Sequence, residues 1–163
     1  VREFRRLLQI ELERSARHNH PFSLLLLDID HFKLVNDNHG HLAGDRVLHQ
    51  IGLSIKANLR PSDLGARYGG EEFAIILPET DMEMACTVAE RIREGIASWK
   101  NCTEPVKGIR VTVSIGVTTY PEDGIEPATL MSCVDKRLYT AKELGRNRVI
   151  PAVSAVDPIQ ETG

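Results

Sequence analysis

Cysteine is scarce in this chain: Cys86, Cys102 and Cys133 are the only three in 163 residues, far apart and with no CxxC pair. No disulfide framework is expected, and a reduced cytoplasmic setting fits best. Long apolar runs are missing too. None approaches the roughly 18 residues that cross a bilayer, and the charged start VREFRR carries no signal-peptide pattern. Nor does charge of one sign dominate. Twenty Lys and Arg against 23 Asp and Glu leave a formal net charge of −3, so no broad attraction to nucleic acid or membrane is expected. Internal repeats and low-complexity tracts are absent. Asn101-Cys102-Thr103 fits the glycosylation pattern, which without a secretory route is coincidence. What is present is ordinary for a globular protein: 42% hydrophobic and 26% charged residues, in a chain long enough for one cored domain.

The apolar spacing predicts helices over residues 2–18, 45–59, 81–99 and 127–144, the last closed by Gly145. FSLLLLDID (22–30) is almost continuously apolar and reads as a central strand buried on both faces. HFKLVNDNHGHLAG (31–44) is short and polar, and reads as a turn-rich loop holding about one helical turn. Residues 64–68 and 72–77 read as a hairpin, and the β-branched run 109–120 as a strand. Val149-Ile150 suggests a short edge strand, and the tail from Pro151 should fray. The order gives a βαββαβ core, the ferredoxin-like α/β plan with an antiparallel sheet flanked by helices.

RYGGEEFAIIL (67–77) places two glycines and two glutamates at the mouth of an apolar strand. Gly69-Gly70 reads as a tight turn using the positive φ that glycine supplies. In the ferredoxin-like plan the first strand lies beside the third. Asp28-Ile29-Asp30 then meets Glu71-Glu72, so four carboxylates converge. Such a cluster is a network with nearby cations, a shared-proton pair, or a site for a hard divalent cation. Asp28 and Asp30 share a face of the strand, with the Ile29 carbonyl between them. The neighbouring GGEE turn favours the cation.

Groups suited to phosphate surround this cluster. Lys33 follows the DID run, and Gly40, Gly44 and a helix start near Asp45 offer free amides. Lys142 and Arg146 lie around the end of the last helix, where an arginine can grip an anion with two bonds. Each of these cations taken singly is most simply a solvated surface group. Asn36 and Asp45 have the donors and acceptors to read a base edge. Asp45 has a simpler alternative, a helix cap. The six histidines show no zinc-ligand spacing.

Together, DIDHFKLVNDNHGHLAGD (28–45), RYGGEEF (67–73), SIGVTTYP (114–121) and LYTAKELGRNRV (138–149) resemble the GGDEF domain of diguanylate cyclases, in its GGEEF form. The match spans most of the chain in the right order and spacing. The resemblance implies a palm-type domain over residues 1–150 with a flexible tail at 151–163. It implies condensation of two GTP into cyclic di-GMP and two pyrophosphates, by attack of a ribose 3′-hydroxyl on an α-phosphate. The cofactor implied is Mg²⁺, or Mn²⁺ in its place. Each domain of a homodimer would hold one GTP.

Carried over position by position, Asp28, the Ile29 carbonyl and Glu71 would bind the metal. Glu72 would complete or adjoin that site, and Asp28, Glu71 and Glu72 would form the catalytic group. Asn36 and Asp45 would read guanine with His41 beside them. Phe32, Lys33, Lys142 and Arg146 would hold phosphates, and Gly69 and Gly70 would let the backbone pass close to the nucleotide. Arg60-Pro61-Ser62-Asp63 gives an RxxD whose arginine lies nine residues before Gly69. That is the register of the family's inhibitory product site, with Arg91 as a further contact. The simpler alternative there is a helix-end salt bridge.

The family's usual opening segment, D-x-L-T-x-L-x-N-R, falls just before Val1. An output domain excised from a longer protein with an upstream sensor is therefore expected, with a membrane anchor allowed in the full-length protein. Two other functions compete. One is an inactive module that binds GTP or cyclic di-GMP, which usually lacks the turn signature or the metal aspartate. The other is a different palm-type nucleotidyl transferase, against which the acidic net charge argues for the polymerase case.

Overall fold

The computed structural model describes residues 1–99 and 108–151. Residues 100–107, with the Asn101-Cys102-Thr103 pattern, and the tail at 152–163 lie outside the described residues. The elements run α1 (Arg2–His18), β1 (Phe22–Ile29), α2 (Phe32–His39), α3 (His41–Asn58), β2 (Leu64–Arg67), β3 (Glu72–Pro78), α4 (Met82–Ala97), β4 (Val113–Tyr120), α5 (Pro127–Glu143) and β5 (Val149–Ile150).

The strands form one sheet in the order β2-β3-β1-β4-β5. Strand β1 is antiparallel to both β3 and β4, and β5 joins β4 in parallel. This is the expected ferredoxin-like order with an added edge strand. All eight residues of β1 are buried, as a central strand covered on both faces requires. Its odd residues, Leu25, Leu27 and Ile29, join one core under α2, α3 and α4. Its even residues, Phe22, Leu24 and Leu26, join a second core under α1 and α5.

Helix α5 lies unusually close to the sheet. A Cβ at Gly116 on β4 would fall 2.5 Å from the Val134 carbonyl oxygen and 2.6 Å from the Leu138 nitrogen. Both obstacles are backbone, so neither can step aside. Arg137, 6% exposed, fixes the same helix by donating to the Val117 carbonyl and, with both terminal nitrogens, to Asp123.

Two segments depart from the sequence expectation. The stretch read as a loop is helical almost throughout: α2 occupies residues 32–39, and α3 starts at His41 rather than Asp45. Its polarity reflects exposure of one face, while Phe32, Val35 and Ala43 bury the other. Gly40, at φ 82, makes the break between the helices. The strand expected from Ile109 begins only at Val113. Ile109 and Val111 are buried without belonging to a strand, so their β-branched pattern marks core contact rather than pairing.

Glu11 on α1 is 6% exposed, with the Ser15 hydroxyl donating to it at 3.4 Å and Arg14 at 3.6 Å. Burial pushes its carboxyl above the ordinary value of 4.5, and Arg14 opposes this only in part. A carboxyl raised on folding adds stability below its unfolded value and loses that contribution as pH rises through the folded one. Glu11→Gln should therefore melt at a higher temperature than wild type near neutral pH, with the gap closing as pH falls toward 4.5. Thermal melts across that range check it, and a gap independent of pH would contradict it.

Candidate functional site

The site forms where β1 ends and β3 begins, beneath the last turn of α5. Pairing sets Asp28 directly opposite Glu72 on β3 and Ser114 on β4. The Ile29 amide donates to the Glu71 carbonyl at 3.3 Å, which joins the two strand ends beyond the ladder. Asp28 is only 6% exposed, and the Lys142 ammonium reaches its carboxylate at 2.9 Å. Burial pushes the Asp28 carboxyl above its ordinary range, against the pull of the Lys142 hydrogen bond. Burial likewise raises Glu71 and Glu72, and for each the Asp28 charge adds to the rise. Three mutually repelling carboxylates thus share one adjacent ammonium.

This donor set fits a hard cation, which takes oxygen ligands and neutralises their repulsion. Asp28 and Glu71 stand on adjoining strand ends, joined by the bond from the Ile29 amide to the Glu71 carbonyl. Among the described residues no three Asp, Glu, His or Cys side chains already stand together as a ready-made metal cage.

Asp30 lies near enough for its charge to add to the rise at Asp28, but its own carboxylate is already taken. Its carboxylate accepts from the Ser114 hydroxyl at 2.7 Å, the Thr112 hydroxyl at 2.7 Å and the Asn147 amide at 3.0 Å. Those donors sit on its own face of the sheet and claim it first.

The glycine turn also works differently from expectation. Neither Gly69 nor Gly70 has positive φ; among the described glycines only Gly40, Gly108, Gly124 and Gly145 do. A Cβ at Gly69 would lie 2.6 Å from Glu72 Oε2, whereas one at Gly70 would meet nothing within 4 Å. Gly69 makes room for a carboxylate, and Gly70 leaves the turn open to solvent. The turn is held by Arg67, whose guanidinium donates to the Gly69 carbonyl at 3.2 Å and to the Gly70 carbonyl at 3.1 and 2.6 Å. The sequence analysis missed Arg67, although it heads the RYGGEEF stretch. It also missed Asp135 on α5, whose charge adds to the rise at Glu72.

The remaining predicted residues divide by element. Lys33 is exposed on α2, while the Phe32 ring is buried in the core, so only its backbone amide is left for an anion. The first amides of α2 have no intrahelical acceptor. Arg146 follows α5 in the left-handed region at φ 63, with its side chain 3.5 Å from the Lys142 carbonyl. Asn36 packs over Gly44, where an added Cβ would overlap its Oδ1. His41 opens α3, and Asp45 stands exposed one turn further on. Asp45 is not the helix cap, because Gly40 holds that position.

Asp45 and His49 line one end of a cavity of roughly 510 Å³ between α3 and the β2–β3 hairpin. A second cavity, of roughly 610 Å³, continues past Gly52, Lys56, Arg67 and Phe73 to Arg60 and Asp63. There the RxxD segment is not a salt bridge. Asp63 Oδ2 accepts the Arg60 backbone amide at 2.7 Å, and the Asp63 amide donates to the Arg60 carbonyl at 3.0 Å. Asp63 Oδ1 is buried with no partner, and the Arg60 side chain is exposed. Arg91 is exposed on α4 and already binds Asn58 Oδ1 and the Asn58 carbonyl, each at 2.8 Å.

A mainly antiparallel sheet with a carboxylate cluster at the end of its central strands, and helices on both faces, defines a palm-type domain. The family model "Diguanylate cyclase, GGDEF domain" matches residues 2–148, and the chain belongs to that family. It is similar to Diguanylate cyclase A of Treponema denticola, 43% identical over 85% of this chain and 37% of the relative. It also resembles a solved active GGEEF domain of a diguanylate cyclase from Vibrio cholerae. That structure is 33% identical, with a TM-score of 0.80 over 86% of this chain and 88% of that one. The GGDEF domain of DgcB from Caulobacter crescentus, solved in complex with c-di-GMP, is 33% identical. Its TM-score is 0.82 over 90% of this chain and 86% of that one. The chain spans less than half the length of the curated relatives it matches.

Gly44 offers a direct test of how tightly α2 is seated on α3. In an open helix, Gly→Ala gains about 1 kcal/mol. Here the added methyl would overlap Asn36 and lie 3.2 Å from Phe32 Cζ, and overpacking of that kind costs about 1–3 kcal/mol. Gly44→Ala should lower the urea midpoint. A higher midpoint would show that Asn36 steps aside freely.

Proposed function

We propose that this domain is a diguanylate cyclase that condenses two GTP into cyclic di-GMP, releasing two pyrophosphates. The observation that carries the proposal is the meeting of Asp28, Glu71 and Glu72 beneath Lys142, beside a turn that Gly70 leaves open. Membership of the family supports it.

In this proposal Asp28, Glu71 and the Ile29 carbonyl hold Mg²⁺, or Mn²⁺ in its place, with Glu72 beside them. Such an ion would lower the pKa of the ribose 3′-hydroxyl and offset charge on the α-phosphate and the departing pyrophosphate. Lys33, Lys142, Arg146 and the free amides at Phe32 and Lys33 hold the phosphates. Lys142, which pairs with Asp28 in the protein alone, would be free to meet the triphosphate. Asn36 and Asp45 bind the guanine edge, with His41 alongside. The open turn at Gly69-Gly70 admits the nucleotide. One GTP per domain means that two copies must face each other for the two bonds to form. The proposed setting is the cytoplasm, under control of an upstream sensor. No helix among the described residues is long and apolar enough to cross a membrane.

Incubation with Mg²⁺ and GTP, followed by mass analysis of the product, should yield cyclic di-GMP; its absence would leave a nucleotide-binding module. Asp28→Ala and Glu71→Ala should each lower the rate by about a hundredfold or more, as loss of a transition-state charge partner does. Normal turnover by either folded variant would sink the metal assignment.

The RxxD segment is proposed as the inhibitory product site. Asp63 Oδ1 lacks a donor, and guanine N–H groups supply one; the exposed Arg60 can meet a guanine edge or a phosphate, with Arg91 as a further contact. Cyclic di-GMP should inhibit non-competitively with GTP, and Arg60→Ala should remove inhibition without lowering the initial rate. Inhibition that vanishes at high GTP, or equal product binding by both proteins in a calorimetric titration, would overturn this assignment.

A further inference from the structure

We propose that Asp30 is a positioning residue: its carboxylate ties the turn carrying Arg146 to the end of the strand carrying Asp28, and so sets the phosphate clamp against the carboxylate cluster. The inference rests on the nucleotide-binding proposal above.

Asp30 is 4% exposed, so nothing from solvent reaches it easily. Its two oxygens take three donors, and its own amide donates to the Thr112 carbonyl at 2.9 Å. The donors come from separate parts of the chain. Ser114 lies in β4, Thr112 just before it, and Asn147 in the turn between α5 and β5. One carboxylate thus joins the end of β1, the start of β4 and the exit of α5.

The exit turn needs such a tie. Arg146 and Asn147 both take positive φ, at 63° and 45°, in consecutive non-glycine residues. Strained positions of this kind persist where the surroundings over-determine them. Three bonds do so here. The Arg146 amide donates to the Ala141 carbonyl at 3.0 Å, Arg93 donates to Asn147 Oδ1 at 2.9 Å, and the Asn147 amide donates to Asp30. The last has a carboxyl oxygen as its acceptor. It is the bond of the three that connects the turn to β1 itself. An asparagine at position 30 would present an NH₂ to one of the three donors and leave that donor facing another.

The test uses Mg²⁺ and 3′-deoxy-GTP, which lacks the attacking hydroxyl and reports binding alone. Calorimetric titration of Asp30→Asn should show a Kd about tenfold weaker than wild type, the scale of one charge-assisted hydrogen bond. In an Arg146→Ala background the same substitution should add nothing, because both act through one clamp. In turnover assays with GTP, Asp30→Asn should raise KM while leaving kcat within about twofold. Unchanged affinity, losses that add in the double variant, or a collapse of kcat at constant KM would overturn the proposal; the last would mark Asp30 as part of the reacting centre. If thermal melts show Asp30→Asn unfolded, Ser114→Ala removes one donor to the same carboxylate and should raise KM in the same direction by a smaller factor. An unchanged KM in that variant would overturn the proposal as well. Wild-type protein that binds no nucleotide would refute the proposed function itself, an outcome distinct from wild-type binding that Asp30→Asn leaves intact.

Discussion

The site depends on one contact, the seating of α5 directly on β4 at Gly116. Backbone atoms of Val134 and Leu138 occupy the space that any side chain there would need. Because the helix lies that low, its last turn passes over the end of β1, and Lys142 reaches Asp28 at 2.9 Å. Arg137, paired with Asp123, fixes the same helix to β4 through the Val117 carbonyl. A helix lifted by even a methyl group would carry Lys142 and the turn with Arg146 away from the strand ends.

Charge is distributed with the same economy. Asp28 in β1 and Asp30 just past its end lie two residues apart, and their surroundings give them opposite fates. Asp30 meets two hydroxyls and an amide, so it is satisfied within the protein. Asp28 meets Glu72 across the strand pair and is offset by the adjacent Lys142 and, more weakly, by Arg146. An ionised cluster with one ammonium is costly to bury, which is why burial raises all three carboxyls. The same imbalance is one that a divalent cation would relieve.

The far end of α3 follows a different logic. The β2–β3 hairpin stands off α3, and the space between them runs from Asp45 to Asp63. Arg67 lines both parts of that space and holds the glycine turn. Asp63 spends one oxygen on the backbone of Arg60 and keeps the other unpaired. A residue so placed stabilises its turn and still has an acceptor to offer.

Much of the fold was legible in the sequence, because apolar periodicity reports burial and burial here follows secondary structure. The all-buried β1 and the amphipathic α1, α4 and α5 are cases in point. Polarity misled at residues 31–44, where exposure of one face looked like a loop, and β-branching misled at 109–112, where core contact looked like a strand. The chemical groups of the site were legible too, since Asp28, Glu71, Glu72 and Lys142 sit in recognisable stretches. What each group does was decided by neighbours far away in the chain. Asp30 was turned from candidate ligand to internal tie by Thr112, Ser114 and Asn147. Gly69 was explained by the position of the Glu72 side chain rather than by φ. The sequence by itself determined which strands and helices form and which charges they carry. Only the tertiary structure decided which of those charges are left without a partner, because hydrogen-bond satisfaction depends on donors that pairing and packing bring together.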